Sequence, residues 1–341
     1  MASGTSGRPA TIYDVAARAK LSIATVSRVL QGTGPVSAKA RAQVDQAAQE
    51  LNYVPLRAAR SLAVQRHEAH GLVLPDLAGP FYGDLLMGYE RWAGEQGQSV
   101  VITVTHGNPE PRRSVRDLAG RVDGIVVHGN ALDLPTIQGL RTRGVPLVLI
   151  AHPPVTGCDS VRSESATSAE QLTTRLLDHG RTKLLFVGDP ASSYDVSERY
   201  AGFARAHELR SLPVPKPDRV PLTEEAGAEA AEKVLQATKH RPDGLVCAND
   251  ELALAVLATF GSAGIRVPDD VVVTGWDDVM AARYVSPGLT TVRQPMAELG
   301  RMAAQRLHER VTGERSRARN DVLATQLVLR DSCGTNRGMQ Q

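Results

Sequence analysis

The stretch TIYDVAARAKLSIATVSRVLQG, residues 11–32, decides how the N-terminal part of this chain folds. Thr11 stands three residues before Asp14, which is the spacing of a capping box at a helix start. Ser22 opens a second run, and Ser37 opens a third, in which apolar side chains return at helical intervals. The pattern predicts three short helices around one small core, with the first two forming a helix-turn-helix that can place its second helix in the major groove of DNA.

Basic residues concentrate in this part of the chain. Residues 1–61 contain eight Lys or Arg and three Asp or Glu, whereas the whole chain is nearly balanced, with 39 basic and 37 acidic residues. Such an excess is typical of a surface that neutralises DNA phosphates, although a solvated arginine-rich surface has the same composition. By helical spacing alone, a three-helix module that binds another protein remains an alternative.

Three motifs follow one another in this region: YDVAARAKLSIATVSRVLQG, VSAKAR and ELNYVPLRAARSLA. In this order they closely resemble the headpiece of the LacI/GalR family of bacterial repressors. The resemblance implies that Ile23, Ala24 and Arg28 read bases and that Thr25 and Ser27 contact phosphates. Thr11 and Ser22, at the two helix starts, complete the DNA-binding candidates of the headpiece.

The three base-reading candidates differ in chemistry. Arg28 can donate two hydrogen bonds to a guanine, whereas Ile23 and Ala24 offer only apolar contact, for instance to a thymine methyl group. A phosphate contact or a surface ion pair is the alternative for Arg28.

The resemblance also places a hinge helix within residues 53–62, lying in the minor groove. There Leu62 would insert between base steps, and Arg57 and Arg60 would hold nearby phosphates. The alternative is a solvated linker with Leu62 packed on the next domain.

From residue 69 onward, apolar runs alternate with helical stretches. These runs are HGLVLPDL, SVVITVT, GIVVHG, VPLVLIA, KLLFVGD, GLVCAND and VVVTGWDD. Near-continuous apolar strands separated by helices predict an α/β fold of parallel sheets, with ligands at the carboxyl ends of the strands. The motifs PDLAGPFYGDLLMGYERWAGEQG, SERYAGF and LTTVRQPMAELG extend the family resemblance, which implies a body like a periplasmic sugar-binding protein with two Rossmann-like lobes.

The chain is therefore expected to divide into consecutive parts. In bodies of this kind the chain crosses between the two lobes three times, and we expect the crossings near Glu164, Arg293 and Val322. The expected parts are a flexible extension (1–10), a helix-turn-helix domain (11–54), a hinge and linker (55–68), an effector-binding and dimerisation domain (69–333) and a tail (334–341). Within the effector domain, one lobe takes residues 69–163 and 294–322, and the other takes 164–293 and 323–333.

The resemblance places Arg199, Asn249 and Asp277 in contact with a small-molecule effector. A guanidinium, an amide and a carboxylate suit a sugar, sugar-like or nucleoside ligand, although each can instead cap a helix or bridge the lobes. Aromatic rings that can stack on such a ligand are Phe81, Tyr82 and Trp276, each of which can instead be core.

One position departs from the family pattern. Many relatives carry an aspartate directly after the strand VPLVLIA, where it helps to bind a sugar hydroxyl, whereas this chain has Ala151 followed by His152. His152 is a candidate substitute for that aspartate, or the ligand carries fewer hydroxyl groups than a hexose.

The sequence carries few signals of other function classes. There is no GxGxxG after a strand, Walker loop, HExxH, GxSxG or spaced Cys/His cluster, so we expect no enzyme activity, catalytic residue, cofactor or metal site. MASGTSGRPA lacks the pattern of a secretory signal, and no apolar run suits a bilayer, which favours the cytoplasm and no membrane partner. We predict a homodimeric, effector-controlled repressor of a pseudo-palindromic operator in double-stranded DNA. The alternatives are a cytoplasmic solute-binding protein and a corepressor-dependent or activating regulator.

Overall fold

The computed structural model describes residues 8, 10–31, 34–54, 66–237 and 241–334. The chain divides into two compact units, Met1–His67 and Glu68–Gln341, which are treated separately below. The predicted hinge helix, with Arg57, Arg60 and Leu62, lies outside the described residues, as do most of the predicted N-terminal extension and tail.

The N-terminal unit contains the three predicted helices. They are α1 (Ile12–Ala19), α2 (Ile23–Gln31) and α3 (Ala38–Glu50). The capping box is confirmed, because the Thr11 hydroxyl accepts the Asp14 N–H while the Asp14 carboxylate accepts the Thr11 N–H. One fully buried valine from each helix, Val15, Val26 and Val44, forms the centre of the core.

The first lobe of the body is built on a six-stranded parallel sheet. Its order is β10-β5-β4-β3-β1-β2, with β1 (Ala69–Leu74), β2 (Ser99–Val104), β3 (Gly124–His128), β4 (Leu147–Ile150), β5 (Asp159–Ser163) and β10 (Asn320–Leu323). Helices α4 (Tyr82–Glu95) and α12 (Met296–Thr312) supply one apolar layer, and α5 (Pro111–Ala119) and α6 (Leu134–Thr142) supply the other. Strands β1, β3 and β4, which these layers cover on both faces, are buried and mostly apolar, as the predicted runs are.

The second lobe has a three-stranded parallel core, β6-β7-β8, joined by a short antiparallel pair, β9 and β11. Its strands are β6 (Leu184–Val187), β7 (Gly244–Cys247), β8 (Val272–Thr274), β9 (Thr291–Arg293) and β11 (Gln326–Val328). Its helices are α7 (Ala166–Asp178), α8 (Tyr194–Glu208), α9 (Glu224–Gln236), α10 (Asp250–Ser262) and α11 (Ala281–Tyr284), followed by a 3₁₀ turn, Asp331–Cys333. The predicted class, α/β with two parallel sheets preceded in the sequence by a small helical domain, is confirmed.

The chain passes between the two sheets three times. It leaves β5 for α7 at residues 164–165, returns from β9 to α12 at 294–295, and leaves β10 for β11 at 324–325. Each lobe is therefore assembled from segments far apart in sequence.

Two glycines let α4 and α12 approach each other closely. A Cβ atom on Gly300 would lie 2.0 Å from the carbonyl oxygen of Leu85, and one on Gly88 would lie 1.9 Å from that of Ala297. Both distances are far below any real contact, so no larger residue fits while the helix backbones keep this separation.

Candidate functional site

The outer surface of α2 displays the predicted base-reading residues. Val26 and Val29 turn into the core, which leaves Ile23, Ala24 and Arg28 exposed, with Ile23 44% accessible. Ser22 is also exposed, whereas Thr25 and Ser27 are half-buried at the edge of the same surface. The N-terminal turn of α2 is thus free to enter a groove.

The two capping hydroxyls are already engaged. The Thr11 hydroxyl donates to the Asp14 carboxylate over 2.7 Å, and the Ser22 Oγ accepts the Thr25 N–H at 3.2 Å. These residues therefore orient the starts of α1 and α2. Arg28 makes no hydrogen bond or ion pair with any residue that the structure describes, so its guanidinium is available to DNA rather than bound in a surface ion pair.

In the body, a cavity of about 810 Å³ lies between the lobes. Residues that follow strands of both sheets line it, including Asp76 after β1, Ala151 after β4 and Asp277 after β8. Ligands of open parallel sheets bind at this edge, where the strands end, and the volume falls within the range of small-molecule sites.

Five of the seven predicted effector residues line this cleft: Phe81, Tyr82, Arg199, Asn249 and Asp277. The Phe81 and Tyr82 rings lie 4.1 Å apart by their centroids. Asn249 is the N-cap of α10, where its side-chain oxygen accepts the Leu252 N–H at 3.1 Å. Its amide group donates to the Leu222 carbonyl oxygen and to the Glu251 carboxylate, so one of its three side-chain hydrogen bonds caps the helix and two hold the side chain against neighbouring residues.

Trp276 does not belong to the cleft lining. It is only 2% exposed and packs among Ala169, Leu172 and Val292, so no ligand can stack on it. Its ring lies instead against the guanidinium of Arg199, 4.7 Å from its centroid, and so supports a residue that does reach the cleft.

His152 is also absent from the lining. Ala151 adopts a positive φ of 52° and is itself the lining residue, while the His152 Nδ1 lies 2.7 Å from the carbonyl oxygen of Pro153. His152 therefore does not line the cleft in this structure, and its role in place of the missing aspartate stays a prediction.

Three lining residues that were not predicted from the sequence, His128, Ser163 and Asp195, have buried polar atoms without partners among the described residues, as the predicted Arg199 also does. Within the described part of the chain, no hydrogen bond reaches His128 Nδ1, Ser163 Oγ, Asp195 Oδ1 or Arg199 Nε. Buried polar atoms are normally paired, so these four atoms retain hydrogen-bonding capacity beside the cleft. His128 is the last residue of β3, within the predicted run GIVVHG, and could have been chosen on that ground, whereas Ser163 ends β5, which the apolar pattern did not reveal.

Burial shifts the protonation of the cleft side chains. It lowers the pKa of His128 to about 4, so the imidazole is neutral near pH 7. Burial also raises the pKa of Asp277 to about 6, although the nearby Arg199 charge opposes the shift. The pKa of Asp195 is raised by burial as well, against the charges of Arg199 and Arg162.

Asp277 and its neighbour connect the cleft to the crossing segments. The Asp277 carboxylate accepts a 2.6 Å hydrogen bond from Gln294, in the second crossing. Asp278, whose side chain is fully buried, pairs with Arg293 of β9 at 2.7 Å and with Arg330 after β11. Both aspartates have positive φ, 116° and 57°, a backbone strain that side chains in functional sites often carry.

Neither a metal-binding cluster nor a membrane-spanning helix occurs among the described residues. No group of three or more His, Cys, Asp or Glu side chains there is arranged to hold a metal ion. None of the helices described is both long and apolar enough to cross a membrane.

Comparison with known proteins agrees with these two sites. Residues 11–55 match the family model of bacterial regulatory proteins of the lacI family, and residues 173–333 match that of a periplasmic binding protein-like domain. The chain therefore belongs to the lacI family of bacterial regulatory proteins. It is 32% identical over 329 residues to the HTH-type transcriptional repressor PurR of Photobacterium profundum, covering 95% of this chain and 98% of the relative.

Two solved structures extend the similarity to the whole fold. The lac repressor dimer bound to operator and the anti-inducer ONPF is 27% identical, with a TM-score of 0.84, over 96% of this chain and 99% of its own. The complex of the transcriptional regulator CelR with cellobiose is 30% identical, with a TM-score of 0.72, over 95% and 99% of the two chains.

Proposed function

We propose that this protein is a cytoplasmic, homodimeric transcriptional repressor whose affinity for its operator is controlled by a small molecule bound in the cleft. In this proposal Met1–His67 contains the DNA-binding domain, and the remaining unit is the effector-binding domain. The observation that carries the proposal is the combination, in one chain, of an exposed recognition surface on α2 and a cleft lined with unpartnered polar atoms.

The recognition surface supports sequence-specific binding. Arg28 supplies a bidentate donor for guanine, and Ile23 and Ala24 supply apolar contacts on the same helix turn. One such helix reads only a few base pairs. Two copies spaced about one turn of the duplex apart would read a pseudo-palindrome, which is why we propose a dimer. The lac repressor structure, a dimer bound to operator, is consistent with this assembly.

The cleft supports control by a hydroxyl-rich ligand. His128 and Ser163 come from the first lobe, whereas Asp195 and Arg199 come from the second. A ligand that satisfies all four orphan atoms must touch both lobes, so binding favours the closed arrangement. CelR, which is similar over nearly the whole chain, has been solved with the disaccharide cellobiose.

Control then follows from linkage. If the closed and open bodies differ in how well the dimer holds DNA, the effector changes operator affinity and the operator changes effector affinity by the same factor. Lobe closure would act through the three crossings, where Gln294 already binds the cleft residue Asp277.

The experiment is operator selection followed by ligand titration. The purified full-length protein is offered a pool of random duplexes at fixed salt, because phosphate contacts make affinity strongly salt-dependent. The selected duplex is then titrated with sugars and nucleosides. We expect one palindromic sequence to be preferred at least a thousandfold over random DNA, with one ligand class shifting that affinity.

The outcome separates the proposal from its alternatives. Weak binding that ignores both sequence and ligand would refute it in favour of a solute-binding protein. A ligand that tightens operator binding would make the protein corepressor-dependent. Sedimentation of the protein with its operator checks the dimer, since a monomer bound to a full palindrome would contradict it.

A further inference from the structure

The charges around the cleft are unequal, and this constrains the ligand beyond its hydroxyl groups. Six carboxylates line the cavity, against two guanidinium groups, those of Arg162 and Arg199. The six are Asp76, Asp195, Glu224, Glu225, Glu251 and Asp277. Within the described residues, none of these carboxylates forms an ion pair.

The two arginines are balanced by two of the carboxylates. Arg162 and Arg199 both lie close enough to Asp195 to act against the rise in its pKa, and Arg199 does the same for Asp277. This leaves four acidic side chains without a compensating cation, which we call the acidic rim: Asp76, Glu224, Glu225 and Glu251. All four are exposed or half-exposed, so they lie toward the solvent side of the cleft.

The acidic rim is contributed by both lobes. Asp76 follows β1 of the first lobe, whereas Glu251 lies in the first turn of α10 in the second. Burial raises the pKa of Glu251, and the charge of Asp76 raises it further, so the two carboxylates are close enough to repel each other. The positive ends of α9 and α10 offset part of the glutamate charge, but Asp76 lies in no helix turn.

The buried floor of the same cleft independently indicates a ligand. His128 and Ser163 line the cavity and are 8% and 2% exposed, and each has a side-chain atom without a hydrogen-bond partner among the described residues. The floor thus requires hydroxyl groups, while the rim requires positive charge, because closing the lobes brings like charges together unless a cation lies between them.

We propose that the effector is a cationic amino sugar, with its hydroxyl groups on the floor and its ammonium group at the acidic rim between Asp76 and Glu251. This inference rests on the proposed function and narrows its ligand class. Sugar phosphates and nucleotides are disfavoured, because their negative charge would meet the acidic rim. A charge-assisted hydrogen bond is stronger than a neutral one by enough to give about a tenfold gain in affinity.

The test uses matched pairs in which an amine replaces one hydroxyl group on each sugar ring. Binding of the full-length protein is measured by calorimetry for glucose and glucosamine, galactose and galactosamine, and cellobiose and its di-glucosamine counterpart. The N-acetyl and 6-phosphate forms of glucosamine are included. We expect the amine to bind about tenfold more tightly in at least one pair, and the acetylated and phosphorylated forms to bind more weakly.

Variants then locate the charge. Glu251→Gln and Asp76→Asn should each reduce the affinity for the amine about fivefold more than the affinity for its hydroxyl counterpart. Glu232→Gln is the matched control, because Glu232 is an exposed glutamate of α9 that does not line the cleft. It should bind both members of the pair as the unaltered protein does.

Each outcome decides the inference. Equal or tighter binding of a neutral or phosphorylated sugar overturns it, and so does a panel in which no compound binds. An amine preference that survives both rim substitutions also overturns it. The proposed function fails separately, if no duplex is selected or no ligand of any class alters operator binding.

Discussion

The close approach of α4 and α12 makes a sharp prediction for Gly300→Ala. In most helix interiors this substitution is stabilising, by up to about 1 kcal/mol, because alanine restricts the unfolded chain and favours the helix. At Gly300 the added methyl group would lie 2.0 Å from the Leu85 carbonyl oxygen. The obstacle is backbone, which cannot rotate away as a side chain can, so the two helices must separate.

The cost follows from the packing around the contact. Overpacking a core costs about 1–3 kcal/mol, and separating two helices by about 1 Å also loosens the layer that contains Leu299 and Leu307. After the helix-propensity gain is subtracted, we expect the body to lose about 1–2 kcal/mol. For a unit of this size that lowers its melting temperature by roughly 2–8 °C. Scanning calorimetry of the full chain, with urea unfolding followed by Trp92 fluorescence, measures the change.

Gly139→Ala is the matched control. Gly139 lies inside α6, and a Cβ atom there would meet nothing within 4 Å, so the same substitution should raise the melting temperature slightly. Opposite signs at the two glycines would support the reasoning. If Gly300→Ala were neutral or stabilising, the approach of α4 to α12 would not be as close as the structure has it.

Three further predictions concern other parts of the molecule. Arg28→Ala should cost about 1–3 kcal/mol of operator affinity and relax the preference at a single base pair, measured by competition among operator variants; a uniform loss over all sequences would instead indicate a phosphate contact. Burial lowers the pKa of His70 to about 4, whereas its value in the unfolded chain is 6.5. As the pH falls, the unfolded state therefore binds a proton before the folded state does. The free energy of unfolding should fall by about 3 kcal/mol between pH 7 and pH 4 as a result. His70→Phe should reduce the change in the free energy of unfolding with pH, measured by urea titrations at several pH values. An unchanged pH dependence would contradict the role given to His70. Asp278→Asn should destabilise the body by about 2 kcal/mol in the same assay. This loss is smaller than for a fully buried ion pair, because Arg293 is half-exposed. Equal stability of the variant and the unaltered protein would refute the role of this ion pair.

The apolar strands were predictable because burial on both faces leaves a long hydrophobic signature. All seven predicted runs contain strands of the structure. The sequences DSVRS of β5 and NDVL of β10 carry no such signature, because polar and charged residues interrupt them. Their strand identity comes from pairing with each other across more than 150 residues, which local patterning cannot register.

The cleft was predictable where a residue lies shortly after an apolar strand, as Asp277 does three residues after β8. Trp276 stands beside it, yet its side chain packs in the core against Ala169, Leu172 and Val292, a tertiary contact that the local sequence pattern does not encode. Arg162 and Asp195 could not be predicted as cleft residues, for another reason. Each belongs to an element whose place at the cleft is fixed by tertiary structure and not by its own sequence pattern.

The late position of β10 has a consequence for biosynthesis. The first lobe begins at Ala69, but its sheet lacks an edge strand until Leu323 has left the ribosome, and α12, which covers α4, is made only shortly before. The helix-turn-helix is complete after residue 50 and can fold as soon as it emerges. At ordinary translation rates roughly ten to thirty seconds separate the synthesis of β5 from that of its partner β10. During that interval the nascent chain carries a folded DNA-reading domain followed by an unfinished sheet, so chaperones have most to protect in the middle of this polypeptide.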